Sequence, residues 1–373
     1  MKRAVFSGTP IGAARRAAGW AILFVAGCAT LADGGGGDQN LPNAVGGPFR
    51  AIAGEELGNE RSDPNGLDDA TGFTRDPSVI DADGDPSTYE VMGFFAKTLE
   101  TGGEPDPRAP PTAIVRHRAL DARSFDRAPE IVLEPAEPWE GGAVGAPSVL
   151  RVGKEFFLYY AAAGGIGLAR SDDGLAFARE PKPVLAEAPG GWEGGGVPQA
   201  PGVVRLWDGS FRMFYEVAEE GGIGRIGEAA SADGLTWTRI GEGPRLEPSA
   251  PPTSGGEEPY DSAWVGAPFP ILAESAQGRQ IVRVYYAARD RQGKAVIGLA
   301  ARIGPDGPLE RAVSPVFGTS GSLSPRDPCV LDYGDFALLF ITQRAARSAA
   351  KDYPAVAIGV APAQAMLPPP NPP

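Results

Sequence analysis

The chain has 373 residues, 42% of them hydrophobic, with 52 glycines, 38 prolines and a formal charge of -13. That acid surplus repels phosphate backbones and anionic headgroups, so nucleic acid is excluded as an expected partner and membrane contact is left to an anchor. Only two cysteines are present, Cys28 and Cys329, which excludes a disulfide framework.

The first residues read as an address. Lys2, Arg3, Arg15 and Arg16 make a basic start, Ala17 to Gly27 is a short apolar stretch, and Val25-Ala26-Gly27-Cys28 follows. A basic region, an apolar region and small residues at a cleavage point describe a secretory signal, too short to span a bilayer comfortably. The Val-Ala-Gly-Cys ending resembles the bacterial lipobox. The resemblance implies cleavage before Cys28 and lipidation of that residue. Ala29 after the cysteine resembles outer-membrane sorting, so the expected location is the cell envelope, with membrane contact through the lipid anchor only. Residues 28–71, with Gly34 to Gly37, read as a flexible tether. Residues 366–373 read as a short, disordered, proline-rich tail.

Between them, a unit recurs. It opens on Asp76-Pro77-Ser78-Val79, Ala146-Pro147-Ser148-Val149, Ala200-Pro201-Gly202-Val203, Ala267-Pro268-Phe269-Pro270 and Asp327-Pro328-Cys329-Val330. An aromatic run follows each opening: Tyr89 to Phe95, Phe156 to Tyr160, Phe211 to Tyr215, Val282 to Tyr286 and Phe336 to Phe340. Ile166-Gly167-Leu168-Ala169, Ile226-Gly227-Glu228-Ala229 and Ile297-Gly298-Leu299-Ala300 come next. Two units close on Ser171-Asp172-Asp173-Gly174 and Ser231-Ala232-Asp233-Gly234. Short aromatic and β-branched runs are half-buried strands, and Asp-Gly pairs make tight turns between them. About four strands per unit, repeating every ~50 to 70 residues, is the size of a propeller blade. The predicted fold is therefore all-β, a five-bladed β-propeller over residues 72–365. Each proline is expected at a strand's start, where it interrupts no ladder.

This order of segments resembles the five-bladed propellers of glycoside hydrolase families 43, 32 and 130, and the Ser-x-Asp-Gly piece resembles the Asp-box of sialidases. The first resemblance implies a glycan-active fold with a central pocket. The second implies that Asp172, Asp173 and Asp233 are turn residues. Family 43 places an Asp base in the first blade, an Asp in the second and a Glu acid in the third. Asp76 matches the first position, but the second falls on Ala146 and the third near Gln199-Ala200, none of which transfers a proton.

Two sets of binding candidates emerge. Arg75-Asp76 and Arg326-Asp327 stand in units that become neighbours on ring closure, as a polar wall gripping hydroxyls or as ion pairs fastening the ring. Trp139-Glu140, Trp192-Glu193 and Tyr260-Asp261 occupy equivalent places before three openings. They read either as a rim that stacks on sugar faces or as a repeated clasp between blades, and the repetition favours the clasp. His117 is the lone histidine and reads as structural. Asp81, Asp83 and Asp85 lack the closing Glu of a calcium loop, and Ser62-Asp63-Pro64-Asn65-Gly66 reads as coincidence. No metal site, phosphate loop or other cofactor is expected. Three functions stay open: a glycan-binding propeller without hydrolysis, an active hydrolase or phosphorylase with rearranged carboxylates, and a structural lipoprotein with no sugar ligand.

Overall fold

The computed structural model describes residues 49–51, 72–83, 88–99, 109–122, 125–126, 128–218, 222–252, 255–318, 323–333, 336–345 and 352–360. The signal segment, Cys28, most of the tether, Ser62 to Gly66 and the tail lie outside them. The described residues are all-β, with two single-turn 3-10 segments, Pro138–Glu140 and Gly191–Glu193, and no α-helix.

The strands form five antiparallel sheets in a propeller arrangement. The sheets open with strands Gly72–Asp81, Gly145–Val152, Gln199–Arg205, Trp264–Glu274 and Leu323–Asp332. These opening strands touch one another in a closed circuit, first to second and on to the fifth, which meets the first again. Each aromatic run is the second strand of its sheet and extends past its predicted end: Val91–Leu99, Glu155–Ala162, Phe211–Ala218, Gln280–Arg289 and Phe336–Ala345.

Burial follows from this stacking. A sheet whose two faces both meet neighbours needs apolar side chains on both sides. The core accordingly consists of five separate clusters, one per junction. Phe94 packs with Leu158 between the first and second sheets, and Phe157 with Phe211 between the second and third. Phe214 packs with Val284 between the third and fourth, Tyr285 with Leu339 between the fourth and fifth, and Phe95 with Phe340 between the fifth and first. The opening strands are also stitched by side chains. Ser78 Oγ accepts the amide of Val149 at 2.9 Å, and Ser148 Oγ accepts the amide of Val203 at 3.1 Å.

Two expectations change. The prolines do not start the strands; they sit inside them at β-bulges, where the register shifts between Arg75 and Ser78, Gly145 and Ser148, Gln199 and Gly202, Gly266 and Phe269, and Arg326 and Cys329. A bulge leaves one residue out of the ladder, so the missing proline N–H costs no hydrogen bond there. In the second change, part of the stretch read as a tether joins the fold. Phe49 is buried, its amide donates to Val316 O at 2.7 Å, and Arg50–Ala51 pairs with Asp352–Val360 in the fifth sheet. The earliest described residues thus close the last sheet.

Candidate functional site at the ring axis

The five openings converge. Asp76, Pro77, Ala146, Pro147, Ala200, Pro201, Ala267, Pro268, Phe269, Asp327 and Pro328 line one hollow. The residue before each proline has a left-handed backbone: φ is 54° at Asp76, 44° at Ala146, 44° at Ala200, 45° at Ala267 and 52° at Asp327. Non-glycine residues hold that conformation at a cost of about 1–2 kcal/mol each. Five repetitions around one axis mark it as built into the blade. The bulge turns each of these residues out of its ladder and toward the hollow.

Three of the strained amides are held by side chains. The Asp76 amide donates to Thr342 Oγ1 at 2.8 Å, the Ala146 amide to Asp76 Oδ2 at 3.2 Å, and the Ala267 amide to Glu216 Oε2 at 3.0 Å. Asp76 is pushed up to about 7, first by burial and next by the negative charge of Asp327, with a carboxyl–carboxyl hydrogen bond adding to the rise; Arg75 and Arg326 oppose it. Asp327 is held by its neighbour, Arg326 Nε lying 3.0 Å from Oδ2. Arg75 is buried and donates to Ala109 O at 2.7 Å. The structure thus brings Asp76 and Asp327 together at the hollow, with Arg75 and Arg326 close enough to act on Asp76 by charge.

The aromatic-acid pairs lie elsewhere, in three copies of one clasp. Glu140 is buried, takes the Tyr160 hydroxyl at 2.7 Å and pairs with Arg179 at 2.8 Å. Glu193 takes Tyr215 at 2.7 Å and pairs with Arg239 at 2.8 Å. Asp261 takes Tyr286 at 3.1 Å and pairs with Arg311 at 3.2 Å. Each arginine also donates to a carbonyl of the preceding linker, at Glu134, Ala186 and Glu247. Trp139 stacks on Tyr160 at 6.0 Å and Trp192 on Tyr215 at 6.4 Å, while Tyr260 Oη lies 3.0 Å from Tyr286 Oη. Opposite each tyrosine is a glycine, Gly167, Gly227 or Gly298; a Cβ there would meet the ring at 2.4, 2.4 or 2.6 Å. That close approach explains the recurring Ile-Gly. None of these six residues lines the hollow.

Sequence reasoning missed Glu216 and the three clasp arginines. Glu216 is partly exposed and pushed up to about 7, first by burial, with the Ala267 amide opposing, Asp327 adding to the rise, and Arg326 and the Trp264 indole opposing. Two of the arginines carried a readable signal: in Phe177-Ala178-Arg179 and Trp237-Thr238-Arg239 each stands two residues past the Asp-box aromatic. Those boxes are turns, Asp173 Oδ1 accepting the amides of Leu175 and Ala176 and Asp233 Oδ1 those of Leu235 and Thr236. His117 is buried with Nδ1 2.7 Å from Asp126 O, and burial holds its pKa down. No cluster of three or more histidine, cysteine, aspartate or glutamate ligands for a metal exists among the described residues.

Comparison with known proteins settles the fold. The chain is similar to a thermostable family-43 glycoside hydrolase, at 18% identity over 80% of this chain and 92% of that one, with a TM-score of 0.58. It is similar to an endo-1,4-β-xylanase from Bacteroides thetaiotaomicron, at 16% identity over 78% and 91%, TM-score 0.54. A β-1,2-mannobiose phosphorylase from Listeria innocua, solved with β-1,2-mannobiose, matches at 14% identity over 78% and 90%, TM-score 0.55. These are glycoside hydrolase-like propellers, and the likeness at such identities is one of fold. No protein-family model matches the chain, and no curated protein matches it in sequence.

Proposed function

We propose that the axial hollow is a carbohydrate-binding site, on a five-bladed propeller that Cys28 anchors to the cell envelope by lipid. The observation that carries this reading is the convergence of Asp76, Asp327 and Phe269 on one hollow otherwise walled by proline and alanine. Carboxyls accept hydrogen bonds from sugar hydroxyls, and a phenyl ring is an apolar partner for a pyranose or furanose face. Ala146 and Gln199 replace two proton-transfer positions of family 43, so binding is the activity that the opening residues themselves support.

The test is calorimetric titration with xylo-oligosaccharides, arabino-oligosaccharides and β-1,2-mannobiose, chosen from the neighbours' sugars. Binding by the unaltered protein and its loss in an Asp76→Ala, Asp327→Ala double variant is the expected result. Absence of binding to any glycan would favour a structural lipoprotein.

A further inference from the structure

We propose that the axial hollow is built for 6-deoxyhexoses, with the sugar's methyl group seated on Phe269; this rests on the carbohydrate reading above. The argument starts from the residue that follows each bulge proline: Ser78, Ser148, Gly202, Phe269 and Cys329. Three of the five use this place to join their sheet to the next. Ser78 takes the Val149 amide at 2.9 Å, Ser148 the Val203 amide at 3.1 Å and Cys329 the Val79 amide at 3.2 Å. The third and fourth sheets depart from that rule. Gly202 has no side chain to accept with, and Pro270, which stands where Val149 and Val203 stand, has no N–H to give. The two strands approach closely instead, a Cβ on Gly202 falling 2.1 Å from Pro268 O. From the fourth sheet to the fifth, the amide in line is that of Val330, and the Phe269 side chain has no acceptor for it.

Phe269 reaches across instead. It packs against the cluster between the fourth and fifth sheets and also against the one between the fifth and first. These clusters lie on opposite sides of the fifth sheet, and Phe269 lines the hollow as well. The side chain therefore crosses the axial edge of the fifth opening strand. It is only half-buried, so packing leaves part of it open. Among the described residues that line the hollow it is the one aromatic, and the carboxyls there, Asp76 and Asp327, come from the first and fifth sheets.

The hollow thus sets two acids beside one phenyl ring, and its other walls are proline and alanine. A hexose carries a hydroxymethyl group at the edge of its ring. Seated on Phe269, that hydroxyl would lose water and gain no partner, which costs affinity. A 6-deoxyhexose carries a methyl there, continuous with the C–H face of the ring. The methyl gains by leaving water, and the remaining hydroxyls stay available to Asp76 and Asp327.

The experiment uses matched methyl glycosides: fucose with galactose, rhamnose with mannose and quinovose with glucose, each pair of one hand. They are titrated into the unaltered protein, Phe269→Ser and Phe269→Leu by saturation-transfer NMR. The unaltered protein is expected to bind at least one deoxy sugar about 10-fold more tightly than its parent hexose, with the strongest transfer at the methyl protons. Serine copies positions 78 and 148 and supplies an acceptor for the Val330 amide, so it suits the fold; in that variant the preference should vanish. Leucine keeps an apolar seat and should keep the preference. Parent hexoses that bind the unaltered protein as tightly as their deoxy partners would overturn the proposal and leave the carbohydrate site standing. So would deoxy sugars that fail to bind where the oligosaccharides named above bind, or a preference that survives in Phe269→Ser. Absence of binding by every glycoside and oligosaccharide would remove both the preference and the site.

Discussion

Cys329 Sγ accepts the backbone amide of Val79 at 3.2 Å and so joins the last sheet to the first. It stands where Ser78 and Ser148 stand in their own sheets and performs the same stitch. Cys329 is fully buried, and its sulfur still serves this bond. Cys329→Ser keeps an acceptor and should cost under about 1 kcal/mol, whereas Cys329→Val leaves the Val79 amide unpaired and should cost about 1–3 kcal/mol. Urea unfolding of both variants measures the difference; equal losses would contradict the stitch. Burial also pushes the thiol up to about 12, so the Cys329 peptide should resist iodoacetamide until the protein unfolds.

The clasp predicts an acid-sensitive stability that is separate from the axis. Burial works against ionised Glu140, but the amides of Glu137 and Ala136 and the Tyr160 hydroxyl outweigh it and hold its pKa below the ordinary 4.5. A depressed carboxyl contributes stability that is present above its unfolded pKa and lost as pH falls through the folded value. Glu140→Ala should therefore cost about 2–3 kcal/mol at pH 7 and progressively less below about 4.5. Thermal unfolding across pH checks this, and carbohydrate binding should be unchanged in the same variant.

The axial carboxyls predict the opposite slope. Asp76 rises from 3.8 to about 7 and Glu216 from 4.5 to about 7. With both raised, the folded state binds more protons than the unfolded one. Their contribution is greatest below 3.8 and 4.5, declines as pH climbs to about 7, and is level above that. Asp76→Asn and Glu216→Gln should each flatten the fall in melting temperature between pH 5 and pH 8. A fall as steep as in the unaltered protein would show that neither carboxyl holds a proton there.

Much of this arrangement was legible in the chain. The five x-Pro openings, the aromatic runs and the Asp-boxes repeat at blade spacing, because every blade solves the same packing problem. The bulges were not legible, since a proline inside a strand and one at its start look alike in sequence. Glu216 was hidden by ordinary alternation: in Phe214-Tyr215-Glu216-Val217 it reads as the solvent side of a strand. Its meaning depends on Gly266 and Ala267, 50 and 51 residues away in the next sheet. Phe49 was hidden by its polar, glycine-rich surroundings.

Lipid anchoring makes a separate prediction. Cys28→Ala expressed in a bacterial host should abolish palmitate labelling and move the protein from the detergent phase to the aqueous phase on Triton X-114 partition. Labelling that persists in the variant would contradict the lipobox.

The most direct measurement of the central claim is a crystal structure of the protein soaked with the oligosaccharide that binds it. Sugar density is predicted in the hollow, with hydroxyls on Asp76 and Asp327 and a ring face toward Phe269. Density seated instead against Trp139 or Trp192, with the hollow empty, would contradict it.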